Sequence, residues 1–175
     1  MPRRATAGDR LESSYYQQIK EALENLFVRK YGDRLTAILF EVTARGEFSQ
    51  SLKSQVQPGR DIIFVFLRQN PPDMTGFLSI KEDYMNSGFV VVEFKREALK
   101  LEDIYQMKRY ADLFNARHAF LVSLQPIPEE IKRLDQAIPH ILYLTGSSRR
   151  LTMATFDESV KVFHQWYPEN PFASA

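Results

Sequence analysis

The sequence has no cysteine, little glycine and no long apolar segment. Without cysteine, disulfides, thiolate metal sites and cysteine nucleophiles are excluded. Its seven glycines form neither a phosphate-binding loop nor a dinucleotide-binding fingerprint. No apolar run approaches the roughly 20 residues that span a bilayer, and the N-terminal arginines precede no apolar stretch of a signal peptide. We therefore expect a soluble cytoplasmic protein that contacts no membrane.

Neither sign of charge is in excess. The chain has 23 basic and 22 acidic residues, so its formal net charge is +1, which excludes a histone-like polycation. A length of 175 residues with 44% hydrophobic residues suits one domain with a real core. The three histidines are isolated and show no ligand-like spacing. Any nucleic-acid contact must therefore come from a local basic patch.

The pattern of apolar residues predicts one α/β domain over residues 11–167. We expect a disordered basic tail before it, at residues 1–10, and a C-terminal tail after it, at residues 168–175. The predicted helices cover residues 11–30, 48–56, 101–115, 129–137 and 157–166. The predicted strands cover residues 36–43, 61–67, 74–80, 89–95, 119–124, 141–145 and 151–155.

Charged residues stand at the ends of two neighbouring predicted strands. Pro72-Asp73 precedes the strand 74–80, and Glu93-Phe94-Lys95 ends the apolar strand 89–95. Because side chains alternate along a strand, Glu93 and Lys95 share one face. Charges at the end of so apolar a strand either reach solvent at a sheet edge or have partners. This spacing can bring two carboxylates and a lysine together, where a divalent metal and a hydrolytic water could sit.

These residues resemble the PD-(D/E)xK nuclease superfamily, the fold of many restriction enzymes and archaeal Holliday junction resolvases. The matching segments are Pro72-Asp73, Glu93-Phe94-Lys95 and Gln106-Met107-Lys108-Arg109-Tyr110-Ala111. The predicted order of elements over residues 11–124 also fits the αβββαβ core of that family. The resemblance implies a restriction endonuclease-like α/β fold, with a mixed central sheet flanked by helices and with C-terminal strand and helix additions.

The resemblance also implies the roles of the site residues. Asp73 and Glu93 would bind Mg²⁺ or Mn²⁺, and Lys95 would activate or orient water. Gln106 would be the family's glutamine on the helix after the Glu-x-Lys motif. Many members add a glutamate near the start of the first helix, and Glu12 fits that place.

Two alternatives remain open at this stage. Asp61, which follows Pro58-Gly59-Arg60 and precedes an apolar run, competes with Asp73 as the motif aspartate. A second Glu-x-Lys, Glu130-Ile131-Lys132, lies on a predicted polar helix face and is interpreted as a solvated pair.

The expected function is a metal-dependent nuclease that hydrolyses phosphodiester bonds in DNA. Basic residues near the site in sequence could hold the phosphate backbone: Arg96, Lys108 and Arg109, with Lys100 and Arg117 nearby. The alternative is a non-catalytic module with the nuclease fold that binds nucleic acid or a protein. The sequence does not identify the structure of the substrate, and it leaves a homodimer open.

Overall fold

A six-stranded mixed sheet runs through the computed structural model, and its strand order follows the chain. The model describes residues 7–173, with side chains from residue 12 onwards. The strands are β1 (Leu35–Val42), β2 (Met74–Ile80), β3 (Gly88–Lys95), β4 (His118–Ser123), β5 (Thr152–Asp157) and β6 (Val162–Tyr167). β1 to β3 are antiparallel, β4 is parallel to β3 and β5, and β6 is antiparallel to β5.

Helices cover both faces of this sheet. They are α1 (Ala7–Tyr31), α2 (Gln50–Lys53), α3 (Ile63–Leu67), α4 (Leu101–Phe114) and α5 (Glu129–Ala137), with a 3-10 turn at Gly32–Arg34. Because side chains alternate along β3, Val90, Val92 and Phe94 pack toward α1, whereas Phe89 and Val91 pack toward α4. The sheet therefore separates two apolar clusters, one under α1 and one under α2, α3 and α4.

The longest helices follow from their apolar spacing. Buried residues recur every three or four positions on α1, from Tyr16 to Tyr31, as one face of a helix requires. On α4 the same spacing buries Ile104, Met107 and Phe114, and the left-handed Asn115 ends the helix. The predicted α/β class with a mixed sheet is confirmed. Elements from α1 to β4 occur in the order αβββαβ, with α2 and α3 inserted between β1 and β2.

The predicted strand at residues 61–67 is wrong. The segment forms the short helix α3, which buries Ile63, Phe64 and Leu67 and exposes Val65 and Phe66. Ile63, Phe64 and Leu67 can share one face of a helix, whereas a strand would bury every second residue. A short apolar run does not distinguish the two by composition, and here packing of Phe64 against Phe48 and Phe114 selects the helix.

Two predictions near the C-terminus are also wrong. Residues 157–166 form a hairpin into β6 instead of a helix, because Asp157 accepts the backbone N–H of Ser159 and starts a turn. The turn ends at Lys161, which has a left-handed φ of 56°. Residues 141–145, predicted as a strand, form only the isolated bridge between Tyr143 and Arg150 within the described chain.

The chain ends also differ from the predicted tails. α1 begins at Ala7, so residues 7–10 are helical, while residues 1–6 of the predicted basic tail lie outside the described residues. At the other end, Phe172 is buried against Phe27 and Trp166, and residues 174–175 lie outside the described part. Within residues 7–173, no helix has both the length and the hydrophobicity needed to cross a membrane.

Candidate functional site

Two buried carboxylates meet at one end of the sheet. Asp73 directly precedes β2, and Glu93 is two residues before the end of β3. Because β2 and β3 are antiparallel with Met74 opposite Val92, the ladder places Asp73 beside Glu93. The residues are 9% and 4% exposed, respectively. Charged groups so little exposed require partners, and the neighbouring side chains supply most of them.

One oxygen of Glu93 has two donors. Lys95 Nζ lies 2.9 Å from Glu93 Oε1, and Gln106 Nε2 donates to the same oxygen at 2.7 Å. The Lys95 ammonium also lies 3.9 Å from Asp103 Oδ1 on the first turn of α4. Burial opposes the charge on Lys95, but the carboxylates of Glu93, Asp73 and Asp103 outweigh burial and raise its pKa to about 12. Lys95 therefore stays protonated in this site.

The second oxygen of Glu93 is unusual. Glu93 Oε2 is buried and has no hydrogen-bond partner among the described residues. Burial and the nearby negative charge of Asp73 raise the pKa of Glu93 well above that of an ordinary glutamate. An unpaired oxygen of this kind is costly in a folded protein, so it marks either stored strain or a place for a ligand.

Asp73 is held from two elements. Its Oδ2 accepts the backbone N–H of Phe94 at 2.8 Å. The hydroxyl of Tyr16, on α1, also donates to its carboxylate. Burial raises the pKa of Asp73 even so, and the negative charge of Glu12 adds to the rise. The half-buried Glu12 thus influences Asp73 from α1 through its negative charge.

Residues outside the predicted set of site residues fix the turn before Asp73. Tyr110 donates its hydroxyl to Pro71 O at 2.9 Å, and it also lies 3.1 Å from Gln106 Nε2. Thr43, just after β1, donates its hydroxyl to Pro72 O at 2.8 Å and its backbone N–H to Asp73 O at 2.8 Å. The one sequence signal was the spacing of Gln106 and Tyr110, one helical turn apart.

Asp73, and not Asp61, is the aspartate next to Glu93. Asp61 is exposed just before α3. Its neighbour Arg60 donates to the carbonyls of Asp112 and Leu113, at the C-terminal end of α4. The candidate site lies toward the other end of that helix.

The three predicted phosphate-binding residues differ in their surroundings. Arg109 is exposed, with its guanidinium 5.1 Å from the ring centre of Tyr110. Arg96 is exposed and interacts with Tyr15 on α1. Lys108 is half-buried and donates to Ile141 O at 3.0 Å, so it already has a structural partner. Arg96 and Arg109 are therefore the members of this set that are open to a ligand.

The donor set at the site suits a hard cation in part. Among the side chains that the structure describes, no group of three or more His, Cys, Asp or Glu residues could hold a metal ion. Two neighbouring carboxylates with one unpaired oxygen nevertheless fit Mg²⁺, which keeps several waters and often takes only one or two protein carboxylates. Asp73 and Glu93 are the residues that fit such an ion.

Compared with known proteins, the chain matches no family model, no curated protein and no solved structure. The resemblance to PD-(D/E)xK nucleases therefore depends on the motif residues, on their geometry and on the order of the elements.

Proposed function

We propose that this chain is a metal-dependent nuclease of the PD-(D/E)xK type, which hydrolyses phosphodiester bonds in DNA. The main support is the meeting of Asp73, Glu93 and Lys95 at one strand end, with Glu93 Oε2 buried and without a hydrogen-bond partner among the described residues. The αβββαβ order from α1 to β4 also supports a restriction endonuclease-like core. Gln106 contacts Glu93 from the helix where the family has its glutamine, which supports the same proposal.

In this proposal Asp73 and Glu93 hold Mg²⁺ or Mn²⁺, with Glu12 as a further carboxylate on the same side. When bound, the metal would neutralise charge on the phosphate and lower the pKa of a water. Lys95, which stays protonated, presents a compact positive charge to the attacking water or to a phosphate oxygen. Gln106 and Lys95 hold Glu93 Oε1, which leaves Oε2 as the Glu93 oxygen that would be free to bind the metal, since it has no partner among the described residues.

Positive side chains outside the carboxylate pair would hold the DNA backbone. Arg96 follows β3, and Arg109 lies one residue before the Tyr110 that contacts Gln106. Both are exposed, so they can reach phosphate without breaking a buried contact. Lys108 would first have to release Ile141 O, and we expect a smaller contribution from it.

Cleavage of a panel of labelled substrates tests this proposal. Duplex, flap, junction and single-stranded DNA are incubated with Mg²⁺ or Mn²⁺ and compared with EDTA. The matched variants are Glu93→Gln and Glu130→Gln, because Glu130 is exposed and begins the second Glu-x-Lys, on α5. We expect metal-dependent cleavage that Glu93→Gln abolishes and Glu130→Gln preserves. Equal cleavage by both variants would exclude this site as the source of the activity.

A second candidate function is a non-catalytic module with this fold that binds nucleic acid or a protein. It is favoured by the closed Lys95–Glu93 pair at 2.9 Å and by the finding that the described residues include no group of three or more His, Cys, Asp or Glu side chains able to hold a metal. Such a module would gain no thermal stability from Mn²⁺, and EDTA would not change its DNA binding. A catalytic site would be stabilised by Mn²⁺, because the metal binds only the folded state.

A further inference from the structure

Two buried threonines lie beneath the turn that carries Asp73. Thr43 and Thr75 both have 0% exposure. Their hydroxyl oxygens are 2.9 Å apart, and Thr43 Oγ1 is 2.8 Å from Pro72 O. Neither residue belongs to the proposed set of metal-holding and phosphate-contacting side chains. Because the two hydroxyls are buried, the hydrogen bonds between them and to Pro72 O help to fix the local backbone.

The direction of these hydrogen bonds follows from the donors. A carbonyl oxygen only accepts, so the single Thr43 hydroxyl proton goes to Pro72 O. That leaves the Thr43 oxygen to accept the proton of Thr75. The chain therefore runs from Thr75 to Thr43 to Pro72 O, and each hydroxyl has one defined role.

These hydrogen bonds end on the turn at Pro71 and Pro72, which Tyr110 also holds through Pro71 O. Pro71 and Pro72 have no backbone N–H, so their backbones can form hydrogen bonds with the rest of the fold only through their carbonyl oxygens. Thr43 holds Pro72 O through its hydroxyl and Asp73 O through its backbone N–H, both at 2.8 Å. Two successive carbonyls are thus fixed by one residue, and the direction of the Asp73 side chain depends on both.

We propose that Thr43 is a positioning residue, whose hydroxyl orients the turn at Pro72 so that the Asp73 carboxylate is set for a divalent cation. The inference rests on the proposed function as far as the cation is concerned. Thr43 itself would touch neither metal nor substrate. Partners that orient a metal ligand typically change metal affinity about 10- to 100-fold when they are removed.

The chain supplies a matched control for the test. Thr36 lies on β1, at the end of the strand away from Thr43, where it is exposed and donates its hydroxyl to Ser79 O at 3.0 Å. Mn²⁺ affinity is measured by electron paramagnetic resonance for wild type, Thr43→Val, Thr43→Ser and Thr36→Val. We expect about 10-fold weaker binding or more in Thr43→Val, with little change in the serine and control variants.

Thr75→Val is a second variant, in case Thr43→Val does not fold. Thr43 still donates to Pro72 O in that protein, so we expect Mn²⁺ affinity to fall less than in Thr43→Val but more than in Thr36→Val. If a folded Thr43→Val binds Mn²⁺ as tightly as Thr36→Val does, the hydroxyl supports stability alone and the inference is overturned. If Thr43→Val does not fold, equal Mn²⁺ affinities of Thr75→Val and Thr36→Val would overturn the inference instead.

A measurement without metal separates this inference from the proposed function. The Phe94 amide, which donates to Asp73 Oδ2, reports the position of the carboxylate through its hydrogen exchange in EDTA. We expect Thr43→Val to speed this exchange relative to Val91 in the same strand, and Thr36→Val to leave it unchanged. Should wild type bind no Mn²⁺, the nuclease proposal fails, and this exchange alone decides whether Thr43 positions Asp73.

Discussion

Replacing Asp73 by asparagine should stabilise the metal-free protein. Burial raises the pKa of Asp73 to about 6, so its ionised form costs the fold free energy at neutral pH. Since an ordinary aspartate titrates near about 3.9, this cost is on the order of 3 kcal/mol above pH ~6. Asparagine keeps an oxygen for the Phe94 N–H and removes the charge beside Glu93. The hydrogen bonds to a neutral amide are weaker, so we expect a net gain of about 1–2 kcal/mol.

The assay is thermal unfolding in EDTA at pH 7.5 and again near pH 4. A gain of about 1–2 kcal/mol corresponds to a rise in Tm of roughly 2–8 °C for a chain of this size. The folded-state pKa is raised, so the cost in wild type declines as pH falls from about 6 toward the unfolded value of about 3.9, and the advantage of Asp73→Asn should be nearly gone at pH 4. The exposed Asp61→Asn is the control, with no expected change at either pH.

Adding Mn²⁺ should reverse the order of stability. Wild type should gain stability from the ion, while Asp73→Asn should gain little, because it has lost one of two proposed carboxylate ligands. If Asp73→Asn is instead less stable than wild type in EDTA at pH 7.5, the ionised carboxylate is a structural element and the reasoning is refuted.

Three further outcomes are expected. Lys95→Ala should fold and bind DNA in a salt-dependent way, yet its cleavage rate should fall about 10²-fold or more. Lys95→Arg should restore little of that rate. Full cleavage by Lys95→Ala would contradict the proposed role of the Lys95 ammonium. Burial lowers the pKa of the half-buried His118 to about 4, so protonation of this side chain destabilises the fold. As pH drops from about 6.5 toward 4, denaturant unfolding should show wild type losing stability relative to His118→Gln, by at most about 1.4 kcal/mol per pH unit. A stability difference that stays constant with pH would contradict a neutral His118. Phe172→Ala should cost about 3–5 kcal/mol in the same assay, because its ring packs on Phe27 and Trp166; a loss under 1 kcal/mol would mean that the C-terminal segment is not docked.

Elements with clear boundary signals were predicted well from the sequence. The predicted bounds of β2, residues 74–80, match at both ends, and Pro71-Pro72 gives a clear signal before its start. α4 matches because its apolar period spans four turns and Asn115 ends it. The segment 61–67 failed because seven apolar-rich residues fit either a strand or two helical turns, and only contacts with distant phenylalanines decide between them.

The candidate site was predicted only in part, because some of its residues follow from local sequence pattern and others from tertiary contacts. Strand-end positions follow from local pattern, so Asp73, Glu93 and Lys95 could be placed together before their contacts were known. Thr43 and Tyr16 could not, because each reaches Asp73 only through packing between elements that are distant in sequence. Strand register and helix docking are tertiary properties, which no local pattern of residues contains.

The energetics of the carboxylate pair argue against a purely structural role. A buried ion pair seldom stabilises a fold more than well-packed apolar residues would, because desolvation offsets the attraction. The balance is less favourable here, because Asp73 and Glu93 lie side by side with raised pKa values and Lys95 is near both. In addition, Glu93 Oε2 has no hydrogen-bond partner in the part of the chain that the structure describes. A cation held by Asp73 and Glu93 would offset the repulsion between them and could also give Glu93 Oε2 a partner. The carboxylate pair that destabilises the metal-free fold is therefore the place where binding of a cation would stabilise the protein most. For this reason we prefer the metal-dependent nuclease proposal to the non-catalytic binding module.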